Sequence, residues 1–269
     1  MGSDAADRIE ADGEGPLRRV SLGAFRISPT TVTNRAFAGF VRSTRYVTDA
    51  ERRGRSFVFH LQLAQPLSAQ STAPPGLPWW RDVEHACWQR PEGSGSHVHD
   101  RPDHPVVHVS WNDAKVYCAW AGARLPCEAE WEYAARGGLE GMRYAWGDEL
   151  APGGVARCNI WRGTFPNAPE AGWKPGPMPV DAFAPNGFGL HNVCGNVWEW
   201  CEDIFRLGDA VDAAKDGQVH AQRAMRGGSF LCHDSYCNRY RVAARSSASA
   251  DSAASNISFR LAADPLSFE

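Results

Sequence analysis

The chain has 269 residues, 43% of them apolar, and a formal net charge of -3, which suits one large domain or two small ones around a sizeable core. No global field draws nucleic acid or an anionic membrane, and neither a polybasic tract nor an apolar stretch long enough to span a bilayer is present. The opening residues, MGSDAADRIEADGEG, are acidic and lack the apolar core of a signal peptide, so a cytoplasmic setting without nucleic-acid or membrane partners is expected.

In chain order, TTVTNRAFAGFVRST (30–44) places Phe37, Phe40 and Val41 at helical spacing and offers Thr33 as N-cap. Residues 61–104 read as loop, with recurring proline, serine and glycine and no period. Their Trp79, Trp80 and Trp88 call for burial, which argues against an interdomain linker. VSWNDAKVYCAWAG (109–122) predicts a helix opened by Ser110 and Asp113 and stopped at Gly122. RLPCEAEWEYAARGG (124–138) predicts a second, with Glu128 and Glu130 in its first turn and Cys127 at the N-cap, where sulfur should weaken the cap by up to about 1 kcal/mol. Beyond it come loops and short strands: MRGGSF, YRVAARS and ISFRLAA (257–263) are the strand candidates. With 26 Gly, 18 Pro and 11 Trp and no internal repeat, the expectation is one irregular α+β domain over residues 1–269 with low regular content.

Eight cysteines are too dilute for a small disulfide scaffold, and no C-x2-C occurs to suggest a zinc ribbon. Two stand apart: Cys232 and Cys237, spaced C-x4-C in GGSFLCHDSYCNRYRVAAR (227–245). By spacing alone they read as a disulfide, a zinc half-site, buried filler or a working pair. Odd spacing puts side chains on opposite faces of a regular strand, so converging sulfurs require a bent backbone between them. His233, Arg239 and Arg241 have the right sign to favour thiolates if they point inward. His97, His99, His104 and His108 lie close in sequence and read as ordinary loop and core histidines rather than an iron site.

Four blocks carry more: HPVVHVSWNDAKVYCAWAGARLPCEAEWEYAARGG, NIWRGTFP, APNGFGLHNVCGNVWEWCED and RGGSFLCHDSYCNRYRVAARSSASADSAASNISFR. Together they resemble the formylglycine-generating enzyme (sulfatase-modifying factor) family, in a bacterial form, from about residue 14 to the end. GNVWEW or RLP-EAEWE alone also marks broader relatives of the same fold, a cysteine-free paralogue among them. The C-H-x-S-Y-C-x-R-Y-R core with the downstream ADSAASN loop is far narrower. The resemblance implies a C-type-lectin-like fold and an oxidase acting on a protein thiol. Such an enzyme uses O2 to convert a cysteine in a C-x-P-x-R stretch of a nascent sulfatase to Cα-formylglycine, and nothing in the chain demands more than a monomer.

By the same resemblance Cys232 and Cys237 hold Cu(I), a soft ion satisfied by two thiolates, which leaves room for the substrate sulfur as a third. Ser229 matches the serine beside the active cysteine, and Trp198 a wall of the oxygen pocket, although plain core packing would account for a tryptophan equally well. Ser56, His233, Tyr236 and Asn256 fall on the substrate side. One calcium site maps onto Asn192, Gly195, Val197 and Glu199. A second, incomplete one maps onto Asn159, Ile160 and Trp173, with Ala171 where an aspartate belongs and Glu170 beside it. The two disulfides of secreted members map onto Cys118 with Leu261 and Ala135 with Val242, so neither can form here, which agrees with a reducing compartment. MGS resembles the interior of a family motif that follows a short strand, so that strand is expected to be missing. Two rival readings remain: a non-catalytic, calcium-stabilised lectin-like peptide binder, and a metal-free thiol redox protein.

Overall fold

The computed structural model describes residues 1–207 and 221–265. A two-residue strand, β1 (Arg26–Ile27), precedes helix α1 (Asn34–Thr44), where Thr33 caps by accepting from the Ala36 N–H at 3.1 Å. The short helix α2 (Asp49–Arg53) is opened by a capping box of Thr48 and Glu51. Strand β2 (Arg55–Phe59) and strand β3 (Trp80–Glu84) pair antiparallel in full five-residue register, with helix α3 (Gln65–Gln70) between them. Residues 61–104 are therefore not all loop. The sequence hides β3 because WRDVE buries only Val83, so the strand exists by pairing with RSFVF rather than by its own alternation.

Ser110 and Asp113 form the expected capping box of α4 (Trp111–Trp120). Helix α5 (Glu128–Arg136) begins at Cys127, whose Sγ accepts the Glu130 N–H at 3.4 Å while the Glu130 carboxylate accepts the Cys127 N–H at 2.9 Å. The box is thus made with sulfur, a weak acceptor. Cys127→Ser should raise stability by up to about 1 kcal/mol, read as a rise in Tm of about 2–4 °C; an unchanged Tm would show that the thiol already caps as well as a hydroxyl.

A tight hairpin joins β4 (Gly163–Thr164) to β5 (Ala168–Pro169). The central sheet follows: β6 (Trp198–Ile204), β7 (Gln222–Arg226), β8 (Arg245–Ser249) and β9 (Ile257–Ser258), in the order β8-β7-β6-β9. Neighbours are antiparallel except β6 with β9, which is parallel. The last strand, β10 (Ala262–Ala263), pairs with β1. ISFRLAA is therefore two strands serving two sheets, split where Arg260 turns inward to Glu199. YRVAARS is strand only from Arg245, because Tyr240 to Ala244 are buried in an irregular run.

The main core packs α1, α4 and α5 against this sheet. Phe37 stacks on Tyr117 with centroids 5.7 Å apart, and Phe40 and Phe259 meet Tyr117 edge-on. Cys118, Leu261, Ala135 and Val242 all join or pack against it, and every cysteine is a free thiol, Cys194 and Cys201 included. Buried ion pairs add to this packing. Arg226 reaches Glu132 at 2.6 Å, Arg245 reaches Glu128 at 2.6 Å, and Arg241 reaches Glu14 at 2.7 Å. Among the described residues no helix is long and apolar enough to cross a membrane.

Candidate active site

β7 runs directly into the cysteine segment. Gly227 and Gly228 both have positive φ, and a Cβ on Gly228 would lie 2.7 Å from the Arg239 carbonyl oxygen. Only glycine lets the two limbs of the loop lie this close. Ser229 and Cys232 then form a turn, the Cys232 N–H donating to Ser229 O at 2.9 Å. The chain next wraps around one acceptor: the N–H groups of Tyr236, Cys237 and Asn238 all point at the His233 carbonyl, at 3.0, 2.9 and 2.9 Å. Asn238 sits at φ 47°, and the loop closes. The bend required of the C-x4-C spacing is this wrap.

Both sulfurs are buried, Cys232 at 2% and Cys237 at 9% exposure, and they share a hydrogen bond. Burial, and then the bond it gives to Cys237, keeps Cys232 protonated. The bond from Cys232, helped by the backbone N–H groups of Arg239 and His233, draws the Cys237 pKa below that of an ordinary thiol. The two buried thiols are thus unequal, Cys232 harder and Cys237 easier to deprotonate than an ordinary cysteine. The helping charge differs from the sequence expectation. The Arg239 guanidinium is held by Asp12 at 3.1 Å, Arg241 by Glu14 at 2.7 and 2.8 Å, and the half-buried His233 ring by Ser235 and Asp234 at 2.8 Å. The Cys232 side chain first, and then the backbone N–H groups of Arg239 and His233, lower the Cys237 pKa, with the Arg239 charge a smaller contribution. Asp12 and Glu14 were not singled out in the sequence; their only signal is the acidity of ADRIEADGEG.

Ser229, 1% exposed, accepts from Asn256 Nδ2 at 3.0 Å and from the Leu231 N–H at 3.3 Å, so its own hydroxyl proton is free to donate. Trp198 opens β6, takes the Asn256 carbonyl through its backbone N–H at 2.8 Å, and belongs to the same buried cluster as both cysteines. Its ring is part of the main core. Tyr236, 41% exposed, stacks on Phe165 with centroids 4.3 Å apart and meets Trp79 edge-on at 5.1 Å. Burial pushes its phenol up to about 12. This aromatic platform beside the thiols is built from β4–β5 and the residue before β3. Sequence reasoning placed Trp79 in the interior and gave Phe165 no role. Ser56 lies within the protein, 4% exposed, between Ala253 O at 3.0 Å and the His108 ring at 2.8 Å. Among the described residues no three or more His, Cys, Asp or Glu are grouped to hold a metal, the four histidines of 97–108 included.

Two buried side-chain oxygens fit a hard cation. Asn192 Nδ2 is committed to Pro179 O at 2.9 Å, and Asn159 Nδ2 to Gly176 O at 2.9 Å and Asn196 Oδ1 at 3.0 Å. Each amide orientation is therefore fixed, and each Oδ1 is buried without a hydrogen-bond partner. Their segments touch: the Asn196 N–H donates to Asn159 O at 2.7 Å, and a Cβ on Gly195 would lie 2.3 Å from that same oxygen. Glu199 is already engaged, accepting from Arg260 at 2.7 Å and from Trp131 Nε1 at 2.8 Å. Trp173 packs edge-on against Trp161, and Glu170 is exposed.

The chain matches the Sulfatase-modifying factor enzyme 1-like domain family over residues 1–265. It is 54% identical to a formylglycine-generating enzyme of Thermomonospora curvata, covering 99% of this chain and 90% of that protein. With one from Streptomyces coelicolor the identity is 56%, over 98% and 86%. A mouse relative named inactive C-alpha-formylglycine-generating enzyme 2 is 43% identical, over 97% and 82%. Among solved structures, PvdO from Pseudomonas aeruginosa superposes with a TM-score of 0.68 at 23% identity, over 98% and 90%, which establishes a common fold. On these matches the chain belongs to the formylglycine-generating enzyme (sulfatase-modifying factor) family.

Proposed function

We propose that the chain is a copper-dependent oxidase that converts the cysteine of a C-x-P-x-R stretch in a sulfatase to Cα-formylglycine. The observation that supports this reading is the buried, hydrogen-bonded pair of Cys232 and Cys237 beside an aromatic platform. Two sulfurs close enough to hydrogen-bond are close enough to share a soft monovalent ion instead. Bound there, Cu(I) supplies a centre that takes both thiolate and O2 and passes electrons singly. Cys232 and Cys237 would hold that ion, and the substrate thiol would approach it beside them.

The remaining work falls to the chain's own groups. Turning a CH2–SH carbon into an aldehyde removes two electrons, while full reduction of O2 takes four, so two external thiols, joining as a disulfide, supply the other two; one oxygen ends in the aldehyde, the other in water, and the substrate sulfur leaves as sulfide. Ser229 offers its free hydroxyl proton next to Cys232, and Trp198 keeps bulk water from the pair. Tyr236, Phe165 and Trp79 provide the flat apolar surface on which a proline two residues after the target cysteine can lie. Asn192 and Asn159 would each lend an oxygen to a structural calcium. The enzyme acts as a monomer in the cytoplasm on a client segment not yet folded.

The test is direct. Protein loaded with Cu(I) is incubated under air with a thiol reductant and a C-x-P-x-R peptide, and the mass change from thiol to aldehyde is followed. Steady aldehyde formation is expected. Retention of an unchanged peptide would instead mark a binder, and a mixed disulfide alone would mark a metal-free redox protein; either result overturns the proposal.

A further inference from the structure

His108 lies outside the cysteine loop, yet it is held more tightly than a filler histidine needs to be. It is fully buried and left-handed, at φ 60°, an uncommon conformation for a residue other than glycine. Its backbone N–H donates to Ala254 O at 3.0 Å. Its Nδ1 faces Ser56 Oγ at 2.8 Å and its Nε2 faces Pro91 O at 2.9 Å. Ser56 Oγ in turn faces Ala253 O at 3.0 Å. A run of polar contacts thus leads from Pro91 through His108 and Ser56 to the 253–256 segment, joined there a second time by the His108 backbone.

The proton count of this run is informative. A neutral imidazole and one hydroxyl provide two protons for three contacts, Pro91 O···His108, His108···Ser56 and Ser56···Ala253 O. Burial pushes the imidazole down to about 4, so it is neutral. The Pro91 carbonyl accepts only, which assigns the ring proton to Nε2 and makes Nδ1 an acceptor. The Ser56 hydroxyl then has one proton for two acceptors, the Ala253 carbonyl, toward which it donates at 3.0 Å, and His108 Nδ1, which competes for it at 2.8 Å. By that competition His108 bears on which way the Ser56 proton points and which Ser56 lone pairs remain available.

The 253–256 segment continues into the active site. The Ser255 N–H donates to Phe57 O at 2.9 Å, beside Ser56 in β2, and Asn256 Nδ2 donates to Ser229 Oγ at 3.0 Å, three residues before Cys232. We infer that His108 is a positioning residue for the reaction: through Ser56 and the Ala253–Asn256 wall it fixes Asn256 and hence the Ser229 hydroxyl beside the cysteine pair. This inference rests on the proposed oxidation of a client cysteine.

The ring's two nitrogens allow a test that separates positioning from bulk. Asn at 108 tolerates the left-handed conformation and places its amide near the Nδ1 position, keeping the Ser56 link. Gln reaches toward the Nε2 position, keeping Pro91 and losing Ser56. His108→Asn should retain kcat within about threefold of the parent, whereas His108→Gln should lose about tenfold or more with a smaller change in KM, a size typical for an outer-shell partner. Combined with Ser56→Ala, the Gln variant should lose little beyond either single change, because both break one link. A second readout needs no turnover: the metal-free variants are titrated with a C-x-P-x-R peptide carrying serine for cysteine, following tryptophan fluorescence. There the Gln variant should bind more weakly than the Asn variant. Equal behaviour of the two in both readouts, or additive loss with Ser56→Ala, would overturn the inference. If the parent makes no aldehyde, the functional reading falls, and the peptide titration still decides the role of His108.

Discussion

Cys237→Ser should reduce aldehyde formation by at least about 100-fold, beyond the loss usual for an outer-shell partner of a metal ligand. Serine fills nearly the same volume, and the position is 9% exposed, so the substitution leaves the packing of the loop in place. What it removes is the sulfur that hydrogen-bonds Cys232. A hydroxyl is harder than a thiolate and titrates far above neutral pH, so it cannot replace sulfur toward Cu(I). Cu(I) affinity of the purified variant, measured by competition with a chromogenic chelator, should fall together with turnover. Cys158→Ser is the control: that thiol is equally buried, it lies outside the hydrogen-bonded pair, and its own pKa is raised by burial. The Cys158 variant should keep both affinity and activity. Undiminished aldehyde from Cys237→Ser would show that the pair does not perform the chemistry. Loss of turnover with Cu(I) affinity intact would confine Cys237 to a role after metal binding.

Helices were legible where a cap residue preceded a periodic apolar run, as at Thr33, Ser110 and Cys127, because both signals are local. Strand β3 and the split of β9 from β10 were not legible. Each depends on a partner far along the chain, and neither shows alternation of its own. At the cysteine loop, the C-x4-C spacing left the pair open between disulfide, zinc half-site, filler and working pair, but it did require a bend if the sulfurs converge, and a bend is present. What the residues could not tell was where the charges go. Arg239 and Arg241 stand next to the pair in sequence, yet their guanidinium groups turn to Asp12 and Glu14, more than two hundred positions away. Phe165 was equally opaque, since its ring matters only once the hairpin at 163–169 lays it against Tyr236.

Arg260→Met should destabilise the protein by about 3–5 kcal/mol, lowering Tm by on the order of 10 °C. Arg260 is fully buried and bonds both Glu199 oxygens, while its other N–H groups reach Ser28 O, Pro29 O and His191 O at 3.1, 3.2 and 3.1 Å. Methionine fills much of the volume but leaves the Glu199 carboxylate, 1% exposed, with only the Trp131 N–H. An unpaired buried charge, rather than a lost contact, is then the main cost. The double variant Glu199→Gln/Arg260→Met removes that charge and should recover a measurable part of the loss. If single and double variants melt together, the three orphaned carbonyls dominate instead. Calcium probes the same place from the other side. Should it bind at Asn192 and Glu199, saturating Ca2+ raises the parent's Tm by mass action, about 2.7 kcal/mol at a hundredfold excess over Kd. The gain should be larger in Arg260→Met, where the cation meets a carboxylate no longer shared with a guanidinium. An equal gain in both would move the ion away from Glu199. Activity should follow stability here, because Glu199 adjoins Trp198 and pairs with Ser258, two residues beyond Asn256. The buried pair that ties β6 to the chain just after β9 thus also supports the segment from which Asn256 reaches Ser229.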